Sequence, residues 1–121
     1  DNSYNQLGLS TFLELSLTPV QTTALPGSRI AKRIVAGVNH TCVLATDGTV
    51  WCWGANTDGQ LGDNSITDRN SPITITGVLA PTIGDGLHSL TAGNTHTCAA
   101  SRGAVVVNGP RIRVAFWPHM V

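Results

Sequence analysis

The sequence predicts an all-β protein, a partial β-propeller of about two four-stranded antiparallel blades. Three observations predict this class. A motif of roughly 50 residues occurs twice in the chain, and each copy contains four short strand-like runs separated by turn residues. No long window has the 3.6-residue spacing of an amphipathic helix. Repeats of this length with four strands each are typical of propeller blades.

The repeat is defined by thirteen matched positions that keep the same order in both copies. The matched pairs are Asn2 with Asn56, Gln6 with Gln60, Leu7 with Leu61, Gly8 with Gly62, Pro19 with Pro72, Ala36 with Ala92, Gly37 with Gly93, His40 with His96, Thr41 with Thr97, Cys42 with Cys98, Gly48 with Gly103, Val50 with Val105, and Gly54 with Gly109. The match divides the chain into a first unit at 1–54, which begins in the middle of a blade, a second unit at 55–109, and an off-pattern tail at 110–121.

Each unit is predicted to contain the same elements in the same order. A glycine-rich loop comes first, with Asn5 in the first unit at the place of Gly59 in the second. A strand beside a proline follows, at Pro72–Thr76 in the second unit. In the first unit the segment Ser10–Leu17 has apolar spacing that suits a strand at least as well as a helix. A variable linker then leads to a short strand that ends in Ala-Gly.

The last element of each unit is a β-hairpin. In the first unit, strands His40–Ala45 and Thr49–Trp53 are rich in β-branched and aromatic residues. They flank the turn Thr-Asp-Gly, and an Asp-Gly pair tolerates the positive φ that a tight hairpin needs. Two registers are compatible with this turn, because its loop can contain two or three residues.

The register decides how the cysteines pair. A three-residue loop sets Cys42 opposite Cys52, whereas a two-residue loop sets Cys42 opposite Trp53. The first register allows a disulfide in an oxidising compartment, in a pair without ladder hydrogen bonds, where opposed side chains come closest. In the second unit the position of Cys52 is taken by Val107, so Cys98 is predicted to stay a free thiol.

Composition excludes several classes of protein. The formal net charge is zero and only 12% of residues are charged, so no nucleic-acid or anionic-membrane partner is predicted. No apolar run approaches the ~18 residues of a membrane span, and no signal peptide opens the chain. The chain starts at Asp1 rather than Met, so its start does not reveal the compartment; a secreted or cell-envelope location is slightly favoured over a cytoplasmic one.

The strings AGVNHTCVLATDGTVWCWGANTDGQLGD and DRNSP resemble the repeat of the regulator of chromosome condensation family. The tryptophan-glycine, the asparagine two residues later and the Gly-Gln-Leu-Gly sequence follow the family's order. The resemblance implies a β-propeller of four-stranded blades. It also implies a choice of roles: nucleotide exchange on a small nuclear GTPase with chromatin binding, a binding platform, or enzyme inhibition by secreted bacterial members. No residue matches a motif that would carry the exchange activity.

The repeat-defining residues are predicted to be structural. They are Gly37, His40, Gly48, Trp53, Gly54, Gly59, Gly62, Gly93 and His96. A metal site from His40, Cys42 and Cys52 is the alternative, but a tetrahedral site needs a fourth ligand, so no metal and no cofactor is predicted. The chain has no phosphate loop and no nucleophile elbow, so no catalytic residue is predicted.

These observations predict a non-enzymatic module that serves as a protein–protein interaction scaffold. The alternative is a secreted inhibitor or surface-binding protein on the same fold, and a fragment of a guanine-nucleotide exchange factor is less expected. The partner is an unknown protein, and the variable linkers Leu25–Lys32 and Gly77–Gly86 are the expected contact surfaces. Self-association through open blade edges is also expected, because unpaired strand edges and apolar faces promote it.

Overall fold

The molecule is all-β in a computed structural model that describes residues 1–75, 87–101 and 104–108. Within these residues it has seven strands and one short 3-10 turn, Pro26–Ser28. The linker Gly77–Gly86, the end of the strand expected at Pro72–Thr76 and the tail at 110–121 lie outside the described residues.

The first sheet has four antiparallel strands in the order β1-β2-β3-β4. These are β1 (Ala31–Ala36), β2 (His40–Ala45), β3 (Val50–Gly54) and β4 (Arg69–Thr74). Neighbours in the sheet are also neighbours in the chain, which is the simple meander of a propeller blade. The first three strands lie in the first sequence unit and β4 lies in the second, so the blade spans the boundary between the units.

The second sheet has three described strands in the order β5-β6-β7, again all antiparallel. These are β5 (Leu87–Ala92), β6 (Thr97–Ser101) and β7 (Ala104–Asn108). They occupy the same places in the repeat as β1, β2 and β3. The main contacts between the two sheets join β5 to β1 and β2, so the corresponding first strands of the two sheets lie close together.

The first hairpin has the three-residue loop. Gly48 is left-handed, with φ +83°, and its N–H donates to the Ala45 carbonyl at 3.0 Å, while the Ala45 N–H donates to the Thr49 carbonyl at 2.9 Å. A type I turn followed by a left-handed glycine has this pattern. The pair Ala45–Thr49 therefore closes the ladder, and Cys42 lies opposite Cys52.

The second hairpin keeps the equivalent pairing with a shorter loop. Ser101 pairs with Ala104, so two residues connect the strands instead of three. Cys98 nevertheless lies opposite Val107, as the sequence predicted. Loss of one loop residue is compatible with an unchanged pairing in the rest of the hairpin because the shortening is confined to the turn.

The prediction of a strand beside Pro19 in the first unit is wrong. Ser10–Leu17 forms no strand, and its apolar side chains are exposed, with Phe12 at 87% and Leu17 at 94%. In the second unit the equivalent strand, β4, pairs with the hairpin strand β3 that precedes it. The Ser10 N–H donates to the Asn70 carbonyl of β4 at 3.0 Å, but the residues that follow do not continue this pairing as a strand.

The core lies between the two sheets. Its buried members are Cys42, Leu44, Val50, Cys52, Leu61, Ile75, Leu90 and Ala99. On β2 and β3 these residues alternate with others that point to the opposite face, as the period of two in a strand requires. One face of the first sheet therefore packs against the second sheet, and the opposite face contacts the N-terminal segment.

Candidate functional site

The glycine-rich loops of the two units have the same hydrogen bonds. In the first loop the Asn2 side-chain oxygen accepts the Leu7 N–H at 2.8 Å, and in the second Asn56 accepts the Leu61 N–H at 3.0 Å. The Asn2 and Asn56 backbone carbonyls also accept from the residue three positions later. A buried asparagine thus organises each loop, because it satisfies backbone groups that the irregular chain leaves unpaired.

The glycine that the first loop lacks is replaced without a change of backbone conformation. Gly59 has φ +72°, and Asn5, which takes its place in the first loop, has φ +63°. Asparagine is among the non-glycine residues that adopt the left-handed region most readily. The replacement therefore preserves the loop.

Each loop is joined to the following hairpin through one backbone carbonyl. The Thr41 hydroxyl donates to the Gln6 carbonyl at 3.0 Å, and the Thr97 hydroxyl donates to the Gln60 carbonyl at 2.9 Å. The Gln6 carbonyl also accepts the Trp53 indole N–H at 2.8 Å. We call this contact the loop–hairpin joint, and the chain contains it twice.

His40 takes part in the second joint. Its Nε2 lies 2.9 Å from the Thr97 hydroxyl. A carbonyl can only accept, so the Thr97 proton points to Gln60 and His40 must donate through Nε2–H. Its Nδ1 then has a lone pair, and it has no hydrogen-bond partner among the described residues.

Burial is the main cause that lowers the pKa of His40. The nearby His96 acts in both directions, since its backbone favours the proton and its ring charge disfavours it. A neutral histidine is consistent with a ring packed inside the protein. The geometry is that of a structural residue at the contact between blades.

The Gly-x-x-His turn explains two of the predicted structural glycines. The Gly37 N–H donates to the His40 carbonyl at 2.9 Å, and the Gly93 N–H donates to the His96 carbonyl at 3.0 Å. A side chain on either glycine would collide with the histidine ring of its own turn. In both turns the histidine ring therefore packs directly against the glycine backbone, in the space that a Cβ atom would occupy. At the end of β3, Gly54 has φ +106° and also lies against backbone atoms.

A polar network fixes the second glycine-rich loop. Asp63 accepts from Asn56 Nδ2 at 3.0 Å and from Arg69 Nε at 2.8 Å. Burial acts to raise the pKa of Asp63, but hydrogen bonds from Ser65, Arg69 and Asn56 outweigh it and the net pKa is lowered. The carboxylate is thus an ionised part of the loop framework.

The residues of the alternative metal site, His40, Cys42 and Cys52, have other partners in the structure. A disulfide joins Cys42 and Cys52, whose Cα atoms lie 4.1 Å apart. Across the described ranges no group of three His, Cys, Asp or Glu side chains could hold a metal ion. Cys98 is a half-buried free thiol. In the part of the chain that the structure describes, no helix is long and apolar enough to cross a membrane.

One polar cluster lies on the surface at the tip of the first hairpin. Arg29 donates through Nε to Asp47 at 2.8 Å and stacks on Trp51 at 5.1 Å from the ring centroid. Thr49 donates to Asp47, and this hydrogen bond is the first cause that lowers the pKa of Asp47. The neighbouring Ile30 side chain is exposed. We call Arg29, Ile30 and Asp47 the hairpin-tip surface.

Sequence reasoning identified most of the repeat positions but not their contacts. The match between the units included Thr41 with Thr97 and Gln6 with Gln60, but no contact was predicted for them. A hydroxyl at the same position in both units was the sequence feature that could have indicated the loop–hairpin joint. The stacking of Arg29 on its tryptophan had no such signal, because these residues meet only in the folded chain.

Comparison with known proteins agrees with this geometry. Two models of the regulator of chromosome condensation (RCC1) repeat match the chain, one at residues 31–60 and the other at 1–44 and 47–100. The ultraviolet-B receptor UVR8 of Arabidopsis thaliana is 36% identical over 109 residues, which are 89% of this chain and 23% of the receptor. The probable E3 ubiquitin-protein ligase HERC3 of Homo sapiens is 38% identical over 71 residues, 59% of this chain and 7% of the ligase.

Solved structures show the same architecture. Human WBSCR16 superimposes with a TM-score of 0.74 at 25% identity, over 90% of this chain and 27% of that protein. Yeast RCC1 (Prp20), solved bound to Kap60, gives 0.67 at 21% identity, over 98% of this chain and 31% of that protein. The chain spans roughly a quarter of UVR8 and of these propellers and a much smaller part of HERC3. The chain belongs to the regulator of chromosome condensation (RCC1) repeat family.

Proposed function

We propose that this chain is a non-enzymatic protein-interaction module, in which the repeats form a rigid scaffold and the linker at one end of the sheet contacts a partner protein. The observation that supports this role is the use of the polar side chains at matched positions. His40, Thr97 and Asn56 are buried and hydrogen-bonded within or between repeats. Their burial and hydrogen bonding favour a role in stabilising the fold over a role in catalysis.

The hairpin-tip surface is the proposed contact region. Its residues Arg29 and Ile30 lie on the variable linker Leu25–Lys32, just before β1, where sequence variation alters the surface without altering the sheet. Ile30 is exposed, and Arg29 is held in place by an ion pair with Asp47 and by the ring beneath it. Arginine is one of the residues enriched at binding hot spots. The partner would be a protein segment with an apolar side chain and a hydrogen-bond acceptor.

Relatives support a binding role at the level of the family. Yeast RCC1 was solved in complex with Kap60, and the structure of Prp20p was described together with its binding to Gsp1p and histones. These partners belong to those proteins. They show that propellers of this architecture offer surfaces for protein contact.

Binding through the hairpin-tip surface can be tested with two matched substitutions. A partner is first identified by capture on the immobilised chain and then purified for calorimetry. The Ile30→Asp variant should weaken binding at least about tenfold, which corresponds to about 1.4 kcal/mol. Ile66→Asp, which makes the same change at another exposed isoleucine, should bind like the wild type. Equal weakening by both variants, or by neither, would contradict the assignment of the surface.

We also propose that the chain does not catalyse nucleotide exchange, and this can be tested separately. Release of a fluorescent guanine nucleotide from a small nuclear GTPase should have the same rate with and without the chain. Saturable acceleration that a single substitution abolishes would establish the exchange-factor alternative.

The compartment is proposed from the cysteines. The disulfide between Cys42 and Cys52 supports a secreted or cell-envelope location, because cytosolic thiols are normally kept reduced. It also favours the secreted inhibitor as the second candidate function. Mass spectrometry of the protein from its native source, alkylated before any reduction, should show the peptide with Cys42 bonded to Cys52; alkylation of both Cys42 and Cys52 would indicate a reducing compartment.

A further inference from the structure

The two sheets differ at one pair of matched positions. Leu90 on β5 is fully buried, with 0% of its surface exposed, whereas Ile34, at the same place on β1, is 65% exposed. Each residue lies opposite a buried partner on the next strand, Val43 for Ile34 and Ala99 for Leu90. The strand pairing around Ile34 and Leu90 is therefore the same, and the two residues differ only in whether another sheet packs over them.

The chain itself shows what covers this position when it is buried. Leu90 belongs to the core cluster with Cys42, Leu44 and Val50, which lie on the face of the first sheet that meets the second. Leu90 is thus covered by the apolar face of another blade. We call the exposed Ile34 and the face of β1 that carries it the Ile34 surface.

A backbone hydrogen bond accompanies this contact. The Val38 N–H donates to the Asn94 carbonyl at 3.1 Å. These residues occupy the same place in the two Gly-x-x-His turns, 56 positions apart. The same hydrogen bond can therefore form again with a further blade on either side. The Asn94 N–H would donate to the blade that follows, and the Val38 carbonyl would accept from the blade that precedes.

The second sheet presents a face that matches the covering face of the first. Cys98 and Ala100 occupy the places of Cys42 and Leu44, and both are half-buried. By register, Val107 lies opposite Cys98. These residues are apolar, like the residues of the first sheet that cover Leu90.

The edges of the first sheet are poorly suited to association. The edge strand β1 contains Lys32 and Arg33, and the opposite edge strand β4 contains Pro72. Charged residues and proline on edge strands discourage pairing with another chain. Association through faces is therefore expected instead of association through edges.

We propose that the Ile34 surface binds the β5–β6 face of a second copy of this chain, head to tail, in the manner of the contact between its own two sheets. The contact is heterologous, so each copy retains one surface of each kind and the assembly can grow or close into a ring. In the contact within the chain, β5 meets mainly β1 and β2. The docked copy would therefore use its β5 and β6 against β1 and leave the hairpin-tip surface available, so this inference does not depend on the proposed function.

Sedimentation velocity over a range of concentrations tests the association. The wild type should form species larger than a dimer as concentration rises. Ile34→Asp should weaken association at least about tenfold, because a carboxylate would be buried against an apolar face. Ile34→Leu, which introduces the residue found at the matched position, should associate like the wild type. Circular dichroism should show unchanged β structure in both, since Ile34 is largely exposed within one chain.

Ile66→Asp is the control for charge, because Ile66 is 72% exposed on a loop away from β1. It should associate like the wild type. A wild type that stays monomeric at every concentration would overturn the proposal and assign the Ile34 surface to another blade. Equal weakening by Ile34→Asp and Ile66→Asp would also overturn it.

Cross-linking tests the direction of the contact. With Cys42 and Cys52 bonded, the wild type has one free thiol, Cys98, so a short bifunctional maleimide can link two copies at most. Ile34→Cys adds a thiol at the position that should face Cys98 of the next copy. Denaturing gels should then show a ladder of trimers and larger species, absent for Ile66→Cys. Dimers alone with Ile34→Cys, or the same ladder with both variants, would refute the head-to-tail contact.

Discussion

The two hairpins have different interiors. In the first, Cys42 and Cys52 are covalently joined across the strands and the loop has three residues. In the second, Cys98 faces Val107 without a covalent link, and only two residues separate the paired ends. The pairing is nevertheless equivalent in both, so the disulfide is not required to specify it.

The joints that the hairpins make are alike. Thr41 and Thr97 each donate to a glutamine carbonyl of the preceding loop, at distances that differ by only 0.1 Å (3.0 and 2.9 Å). The contact between loop and hairpin within each repeat is thus preserved where the interior of the hairpin is not. The physical reason is that the joint links two segments whose carbonyl and hydroxyl must both be satisfied once buried, whereas the interior of a hairpin tolerates any pair of small apolar side chains.

The largest expected effect comes from making the first hairpin like the second. Cys52→Val removes the disulfide and should lower the free energy of unfolding by up to about 3 kcal/mol, because the cross-link restricts a short loop of the unfolded chain. Urea denaturation followed by tryptophan fluorescence measures this. The wild type in reductant should lose a similar amount, and the variant should not respond to reductant.

Thiol counting gives the corresponding check on the disulfide. The wild type, purified without reductant and unfolded in guanidinium, should have one reactive thiol, and Cys52→Val should have two. Three thiols in the wild type would mean that Cys42 and Cys52 are not bonded in the purified protein.

The two joints should respond differently to loss of their hydroxyl. Thr97→Val should cost about 2 kcal/mol, since it leaves the Gln60 carbonyl without its donor and the His40 Nε2–H without its acceptor. Thr41→Val should cost about 1 kcal/mol, because the Trp53 indole still donates to the Gln6 carbonyl. Chemical denaturation of both variants side by side tests the order, and equal losses would contradict the role of His40 in the joint.

A smaller effect is expected from pH. Burial lowers the pKa of His40, so the unfolded chain takes up this proton before the folded one does. Stability from this residue is complete above the unfolded pKa of about 6.5 and is lost as pH falls from there toward the folded pKa. Unfolding measured between pH 7 and pH 5 should show this loss in the wild type and a shallower slope in His40→Gln. Asp63, whose pKa is lowered, affects stability only at more acidic pH.

The smallest effect is expected where the two glycine-rich loops differ. Gly59→Asn should change stability by less than about 0.5 kcal/mol, because Asn5 already adopts the same conformation and a side chain at Gly59 would meet open space. Gly59→Val should cost about 1–2 kcal/mol, since a β-branched residue is strained at positive φ. Thermal unfolding distinguishes the two, and equal losses would mean that the backbone conformation does not set the cost.

Much of the fold could be predicted from local pattern. The turn Thr-Asp-Gly limited the first hairpin to two registers, and the left-handed Gly48 of the structure selects the three-residue loop, which sets Cys42 opposite Cys52. The prediction failed at Ser10–Leu17, where the spacing suits a strand but the segment forms none in the structure. A strand is stable only with its neighbour, so alternation alone could not predict this segment.

The candidate site was less accessible to prediction. Alternation placed His40 and Cys42 on one face of a strand, but the acceptor of His40 lies 57 residues away on another sheet. The stacking of Arg29 on Trp51 likewise joins a linker to a strand that it does not precede directly. Such contacts depend on where two segments meet, which no local spacing contains.

The sequence by itself determined the all-β class, the repeat and the two possible registers of the first hairpin, because turn conformation and side-chain alternation are properties of a few adjacent residues. The tertiary structure decided which faces are covered, which proton His40 holds and why Ile34 is exposed while Leu90 is buried. Burial and hydrogen-bond partners depend on residues brought together from distant parts of the chain. For that reason identical positions of one repeat have different environments in the same molecule.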